Sequence, residues 1–292
     1  MYSTRRPIIV AITLLFLVGC SSAKPTVSIS TPIPKTSLPA PVLESLPSTA
    51  PIPSSHAVAH ALAPLIRSHA LGDHVGVAVA DALTGAMIYE GGAVAPNDQF
   101  IPASSIKLFT TVAVLLKESP ETLVTFKKKK VSLSSLVETT LTESNNSGAT
   151  LLSKLLPDSI SSEIATAFPT LDLSKSTLLD ASGLSRDDRT TPATLVHLLV
   201  LIANPKYPQF APVLSALPIS GLTGTLKSRA VTAPGQIRAK TGTLTGVDVL
   251  AGYVVDSPKR VLVFAIMADR VPKTGPARAK IDQIATALLN LS

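Results

Sequence analysis

The chain has 292 residues, 46% of them hydrophobic, a formal net charge of +7, one cysteine and no tryptophan. That length supports a single sizeable domain or a domain with an inserted lobe, and the composition predicts an aliphatic core of Val, Leu, Ile and Ala. One thiol excludes an internal disulfide. No Cys/His cluster has zinc-ligand spacing, and surface or packing roles are expected for His60, His69 and His74, so no metal or cofactor is called for.

Arg5 and Arg6, the apolar run Ile8 to Val18 and the following Gly19 form an export signal over residues 1–19. The run is too short to span a bilayer comfortably. Leu17-Val18-Gly19-Cys20 resembles a bacterial lipobox, which implies cleavage before Cys20 and lipidation of its thiol, leaving the protein on the outer face of the cell membrane. An ordinary signal cut near Ser22-Ala23, giving a secreted protein, is the alternative. Export disfavours nucleic acid as the partner of the positive charge. Residues 20–55 carry Pro25, Pro32, Pro34, Pro39, Pro41, Pro47, Pro51 and Pro53 among Ser and Thr. Such a stretch cannot sustain helix or sheet and reads as a tether, extended at about 3 Å per residue in its stiffest form.

The domain proper is placed at 56–292. Val58 to Ser68 has helical spacing, and Gly76 to Ala80 with Ala86 to Tyr89 reads as a β-hairpin across the Asp81 to Gly85 turn. Pro102 precedes a buried helix from Ser104 through Leu116. Lys127 to Lys130 form a basic run, read either as a solvated turn or as a contact for an anionic wall polymer or membrane surface. Leu133 to Leu156 reads as helices broken by the polar cluster Ser144 to Gly148. Gln236 to Gly242, Val247 to Val255 and Arg260 to Met267 read as strands, followed by a helix from about Pro276 to Leu291. Together with the first hairpin these make one five-stranded antiparallel sheet with flanking helices, an α+β (α/β) domain. A helical lobe occupies about 104–215.

Three strings carry the chemistry: Ser104-Ser105-Ile106-Lys107, Ser144-Asn145-Asn146 and Lys240-Thr241-Gly242. Each recurs by chance, whereas all three in this order, each in a fitting segment, constitute a strong signal. Ser104 at a helix amino end lies where negative charge is favoured, and Lys107, one turn on, reaches the serine oxygen. A hydroxyl needs a base, and a lysine serves if burial and a second cation, for which Lys240 is the candidate, lower its pKa. Ser105 has Leu108 at the corresponding offset and is set aside. Ser144 is placed to pass a proton to a leaving amine, and the Asn146 amide to hold a substrate carbonyl. Gly242 leaves room for a substrate backbone, while Thr241 and Thr243, with the charge of Lys240, suit a terminal carboxylate. The N–H groups of Ser104 and Thr243 are the expected oxyanion donors.

On these strings, together with Ile101-Pro102-Ala103, Asp180-Ala181-Ser182-Gly183-Leu184-Ser185-Arg186, Gly221-Leu222-Thr223-Gly224-Thr225-Leu226 with Arg229, and Arg238 to Leu244, the chain resembles the D-alanyl-D-alanine carboxypeptidase/endopeptidase family of low-molecular-mass penicillin-binding proteins, peptidase family S13. The resemblance implies the fold shared by serine β-lactamases and penicillin-binding transpeptidases. It implies Ser104 as the acylated serine, Lys107 as base, Ser144 and Asn146 as the second motif, and Lys240, Thr241 and Thr243 on the carboxylate and oxyanion side. The implied substrates are peptidoglycan stem peptides ending in D-Ala-D-Ala, with penicillins as covalent inhibitors.

Larger family members carry extra domains between the first two motifs, whereas only 36 residues separate Lys107 from Ser144 here, room for the rest of a helix, a loop and another helix. Ala149-Thr150 replaces the acidic continuation common after the second motif. A β-lactamase of the same fold is the enzymatic rival, although no Glu-x-x-Leu-Asn segment lies between Ser144 and Lys240. An esterase of this fold and a catalytically idle wall-binding module are two further rivals. Protein partners are not legible.

Overall fold

A computed structural model describes residues 51–255 and 260–291. The export signal, Cys20 and nearly all of the tether lie outside the described residues. Helix α1 (Ser55–Ile66) opens the described fold, capped by the Ser54 hydroxyl, which accepts from the Ala57 N–H at 3.1 Å. The hairpin β1 (His74–Asp81) and β2 (Met87–Gly92) follows. A 3₁₀ turn over Ala103–Ile106 leads into α2 (Lys107–Leu115), and a short hairpin, β3 (Leu123–Phe126) and β4 (Lys129–Ser132), leads into α3 (Leu133–Thr142). The lobe continues through α4 (Asn146–Ser153), α5 (Ile160–Ala167), α6 (Pro192–Ala203) and α7 (Ala211–Ala216). The chain then returns to the sheet with β5 (Ile237–Leu244), β6 (Val247–Val255) and β7 (Val261–Asp269), and α8 (Thr274–Ala287) closes it.

The main sheet has the order β2-β1-β7-β6-β5, every pair antiparallel. At its centre the two faces differ in side-chain size, because successive strand residues point to opposite sides. Val75, Val77, Val79, Leu250, Leu262, Phe264 and Ile266 pack with α1 and α8 in one core. Ala78, Ala80, Ala251 and Ala265 face the helical lobe and belong to a second core with α2, α3 and α6. Gly76 lies on this small-residue face, where an added Cβ would come within 2.6 Å of the Phe100 ring. Small residues there let the nucleophile helix press close to the sheet, and every residue of α2 is buried.

The β3–β4 hairpin corrects the sequence expectation of only helix and loop between Lys107 and Ser144. Lys127 and Lys128 form its two-residue tip, with φ of 48° and 66°. Tips of that kind usually take Asn-Gly, so four consecutive lysines mask the turn signal.

Candidate active site

The approach to the nucleophile is bent. Ala103 has φ 46°, a conformation that L side chains rarely adopt, and the turn that follows is 3₁₀ rather than α. In a 3₁₀ turn residues i and i+3 eclipse one another, which stacks Lys107 over Ser104. Lys107 Nζ lies 2.8 Å from Ser104 Oγ. Ser105, by contrast, is fully buried and donates its hydroxyl to the Pro102 carbonyl at 2.7 Å.

Lys107 is fully buried, so its amine must be matched inside the protein. Besides Ser104 it contacts Asn146 Oδ1 at 2.8 Å and the Ser182 carbonyl. Both of those partners only accept. When the amine is neutral its two N–H groups are taken by them, and its lone pair faces the one available proton, that of the Ser104 hydroxyl. Burial pushes the Lys107 amine down to about 8, against the Asp180 carboxylate, which raises it. The sequence expectation that the second lysine lowers the first is thereby revised. Burial is the leading cause at Lys107, and it is Lys240 that is pushed well below the ordinary amine range, by burial first and then by the charge of Lys107.

The loop that carries Asp180 had no assigned role in the sequence beyond family resemblance. Its carboxylate accepts from the backbone N–H groups of Ser182, Gly183 (2.7 Å) and Ser185, and these bonds outweigh burial to hold it below the usual carboxylate range. That wrapping aims the Ser182 carbonyl at Lys107. Thr110 of α2 pins the loop by donating to the Ala181 carbonyl at 2.9 Å, and Arg186 ties its far end to the Thr245 carbonyl at 2.6 Å. Asp188 lies fully buried behind it, donor N–H groups of Leu179 and Asp180 on one oxygen, and burial pushes its carboxyl up to about 6.

Ser144 sits at φ 57° between α3 and α4, which turns its hydroxyl toward β5. Asn145 caps α4, accepting from the Gly148 N–H at 2.9 Å, and this frees Asn146 to face Lys107. Lys240 Nζ donates to Ser144 Oγ at 2.9 Å and to the Thr241 carbonyl at 2.8 Å. The structure therefore gathers Ser104, Lys107, Ser144, Asn146 and Lys240 around one point. Lys240 is fully buried, so its amine serves Ser144 and is not presented as surface charge.

Two details of the third motif differ from expectation. The space left by Gly242 is filled by the protein itself, since a Cβ there would lie 2.6 Å from the Pro102 carbonyl; the room assigned to a substrate backbone holds the approach to the nucleophile. Thr241 and Thr243 point to the other face of β5 from Lys240 and Gly242, Thr241 meeting Thr225 Oγ1 at 2.8 Å. As β5 is an edge strand whose Ala239 N–H points outward to the Pro218 carbonyl, the same two-residue period turns the Thr241 and Thr243 N–H groups off the sheet. An open cleft of about 360 Å³ is lined by Ser104, Ser144, Thr241 and Thr243, together with Thr225, Arg229 and Arg278.

The fold is that of penicillin-binding proteins and class A β-lactamases. Penicillin binding protein 4 of Haemophilus influenzae, solved with a β-lactam, superposes with a TM-score of 0.62 at 14% identity, over 80% of this chain and 99% of that one. A class A β-lactamase from Bacteroides cellulosilyticus gives a TM-score of 0.63 at 19% identity, over 80% and 97%. Residues 116–290 match the D-Ala-D-Ala carboxypeptidase 3 (S13) family, and the chain belongs to it. Carboxypeptidase DacB of Mycolicibacterium smegmatis is 41% identical over 124 residues, 40% of this chain but only 26% of that protein's length.

Proposed function

We propose that the chain is a serine D-Ala-D-Ala carboxypeptidase, with D,D-endopeptidase action on cross-linked chains as an extension, acting on peptidoglycan stem peptides through a Ser104 acyl-enzyme and acylated by penicillins. The observation that carries this reading is the Lys107 amine, buried, lowered in pKa, 2.8 Å from Ser104 Oγ and otherwise surrounded by acceptors. Lys107 takes the Ser104 proton as Oγ attacks the carbonyl of the penultimate D-Ala. The outward N–H of Thr243 and that of Ser104, at the amino end of its turn, meet the developing oxyanion. Ser144, backed by Lys240, protonates the departing D-Ala amine, and water then clears the acyl group. The Asn146 amide nitrogen is left for a substrate carbonyl. The export signal and the Cys20 lipobox support an anchored location outside the cell membrane, with the tether as spacer.

Incubation of the protein with a labelled penicillin, a diacyl peptide ending in D-Ala-D-Ala and a chromogenic cephalosporin tests the assignment. Persistent label on Ser104 with release of D-Ala is expected. Rapid cephalosporin turnover without D-Ala release would make it a β-lactamase, and a folded protein giving neither label nor product would make it an idle binding module.

The acylation rate should climb with pH as the Lys107 amine loses its proton near 8, and fall away below that value. Because the Asp180 charge raises Lys107, Asp180→Asn should move this limb to lower pH. Stopped-flow labelling of both proteins between about pH 6 and 10 measures the displacement. A limb that stays in place, or moves upward, removes Asp180 from the control of the base.

A further inference from the structure

The chemistry of the cleft gives no role to the lysine run. Lys127, Lys128, Lys129 and Lys130 are all exposed and fill the closed end of the β3–β4 hairpin. Phe126 pairs with Lys129 and Thr125 with Lys130, which leaves Lys127 and Lys128 as the tip. Among the described residues none of the four makes an ion pair. The nearest acids in the sequence, Glu118 and Glu121, precede β3 and are bonded to Thr122 and Ser119. Lys127 Nζ stands 5.2 Å from the centre of the Phe126 ring, which holds that stem against the hairpin.

This arrangement is locally unfavourable in two ways. Both tip residues have positive φ, which glycine adopts freely and lysine only with strain. Four adjacent ammonium groups also repel one another. No paired acid among the described residues offsets either effect, and a local rule broken without internal compensation points to a contact outside the chain.

Placement and chemistry narrow that contact. Val124, Phe126 and Val131 seat the hairpin on the lobe core. Helix α2 leads away from Ser104 and α3 leads back to Ser144, so the base of the hairpin lies at the helix ends remote from the nucleophile, about 14 Å along nine residues. None of the hairpin residues lines the cleft. The chain enters the fold at α1, which packs in the core on the other face of the main sheet, so the lysines lie across the sheet from that entry. A lipid surface is gripped by apolar side chains as well as by charge, and the tip offers none, since Phe126 packs on the lobe core. Lysine serves phosphate as a point charge, whereas a carboxylate is better matched by the arginine fork, which the run lacks.

We propose that the β3–β4 hairpin is a docking site for a linear extracellular phosphodiester polymer, held by the charges of Lys127 to Lys130, which keeps the protein on the wall while leaving the cleft open. The site depends on the exported location given above and not on the chemistry at Ser104.

Binding of the protein to a fluorescent poly(glycerol phosphate) is measured by anisotropy over a range of salt concentrations. Polyglutamate and vesicles of phosphatidylglycerol in phosphatidylcholine are measured beside it. The polymer should bind tighter than either, and its affinity should fall steeply with salt as counterions are released. Changing all four lysines to glutamine should weaken binding by roughly tenfold or more and flatten the logarithmic salt slope by about 2–3. Glutamine at the exposed Lys154, Lys175, Lys206 and Lys273 removes the same net charge and should cost less than about threefold, because charge away from the contact is screened. A second variant sets function against stability. Lys127→Asn with Lys128→Gly installs the usual turn pair and should raise the melting temperature by roughly 2–4 °C while weakening polymer binding. A merely structural tip would gain stability and lose no binding. Polymer binding that survives the quadruple change, an equal loss in the control, or tighter hairpin-dependent binding to polyglutamate or vesicles overturns the proposal. Penicillin labelling of the same samples keeps the two readings apart: label at the parent rate without hairpin-dependent binding sinks the docking site alone, and hairpin-dependent binding without label sinks the peptidase and keeps the docking site.

Discussion

Lys107→Ala should lose acylation of Ser104 by about 10²–10⁴-fold while the protein stays folded, the range that a positioned general base contributes. No neighbour among the described residues is placed to substitute. Lys240 is bonded to Ser144, and the Asp180 carboxylate is wrapped by backbone N–H groups. Retention of the fold follows from two opposed terms of similar size. Removing the amine leaves the Asn146 oxygen without its donor and the Ser182 carbonyl with only the Ser104 hydroxyl at 3.4 Å, at about 1–3 kcal/mol for each unsatisfied group. It also removes a buried amine whose descent from 10.5 to about 8 corresponds to about 3 kcal/mol of disfavoured charge. The sign is the reverse of a salt-bridged lysine. A depressed amine weakens the native state at pH values below about 8, and the penalty fades as pH rises toward 10.5. Mass spectrometry of the penicillin adduct, with circular dichroism of the same sample, reads both halves. Labelling at the parent rate would assign the base elsewhere.

Gly183→Ala should be the most damaging conservative change near the site. Gly183 has φ +82°, and a Cβ there would lie 1.9 Å from the Ala103 oxygen, 2.2 Å from its carbonyl carbon and 2.8 Å from the Ser104 nitrogen. All three are backbone atoms of the nucleophile turn, so no side chain can swing aside. The left-handed conformation costs an alanine about 1–2 kcal/mol, and the overlap adds about 1–3 kcal/mol as loop or turn is displaced. A loss of about 3 kcal/mol lowers the melting temperature of a domain this size by roughly 6–12 °C. Acylation should fall further than the loss of folded protein explains, because the Ser182 carbonyl and the Ser104 N–H move apart. Thermal melts and labelling at a temperature where the variant is fully folded distinguish the two effects. A variant with parent stability would mean that the loop yields without strain.

The sheet strands and the buried helix α2 were legible because alternation and Pro102 mark them locally. The three motif strings were legible because residue type and order carry information without coordinates. What stayed hidden depends on packing between distant segments. Nothing in the string Pro102-Ala103-Ser104 announces a positive φ at Ala103, and nothing in Gly242 says that its neighbour is the Pro102 carbonyl and not a ligand. Asp180 was visible as part of a matching segment, yet its influence on Lys107 appears only once the loop folds back on α2. Arg278 looks like any basic residue of an amphipathic helix, and it reaches the cleft because α8 lies beside Thr243 and Asp248. The lysine run hid a hairpin tip by substituting charge for the glycine and asparagine that usually mark one.

The order β2-β1-β7-β6-β5 has a consequence for how the protein comes to life. The first hairpin gains its neighbour only from β7, so residues near 75 wait for residues near 265 before the sheet closes. Ser104 and Lys240 sit on opposite sides of that delay. Pairings of such long sequence separation form late and slowly, so a nascent chain still emerging from a ribosome holds its nucleophile and its third motif apart. Assembly of the site is thereby tied to the arrival of β7, the last strand of the sheet in chain order.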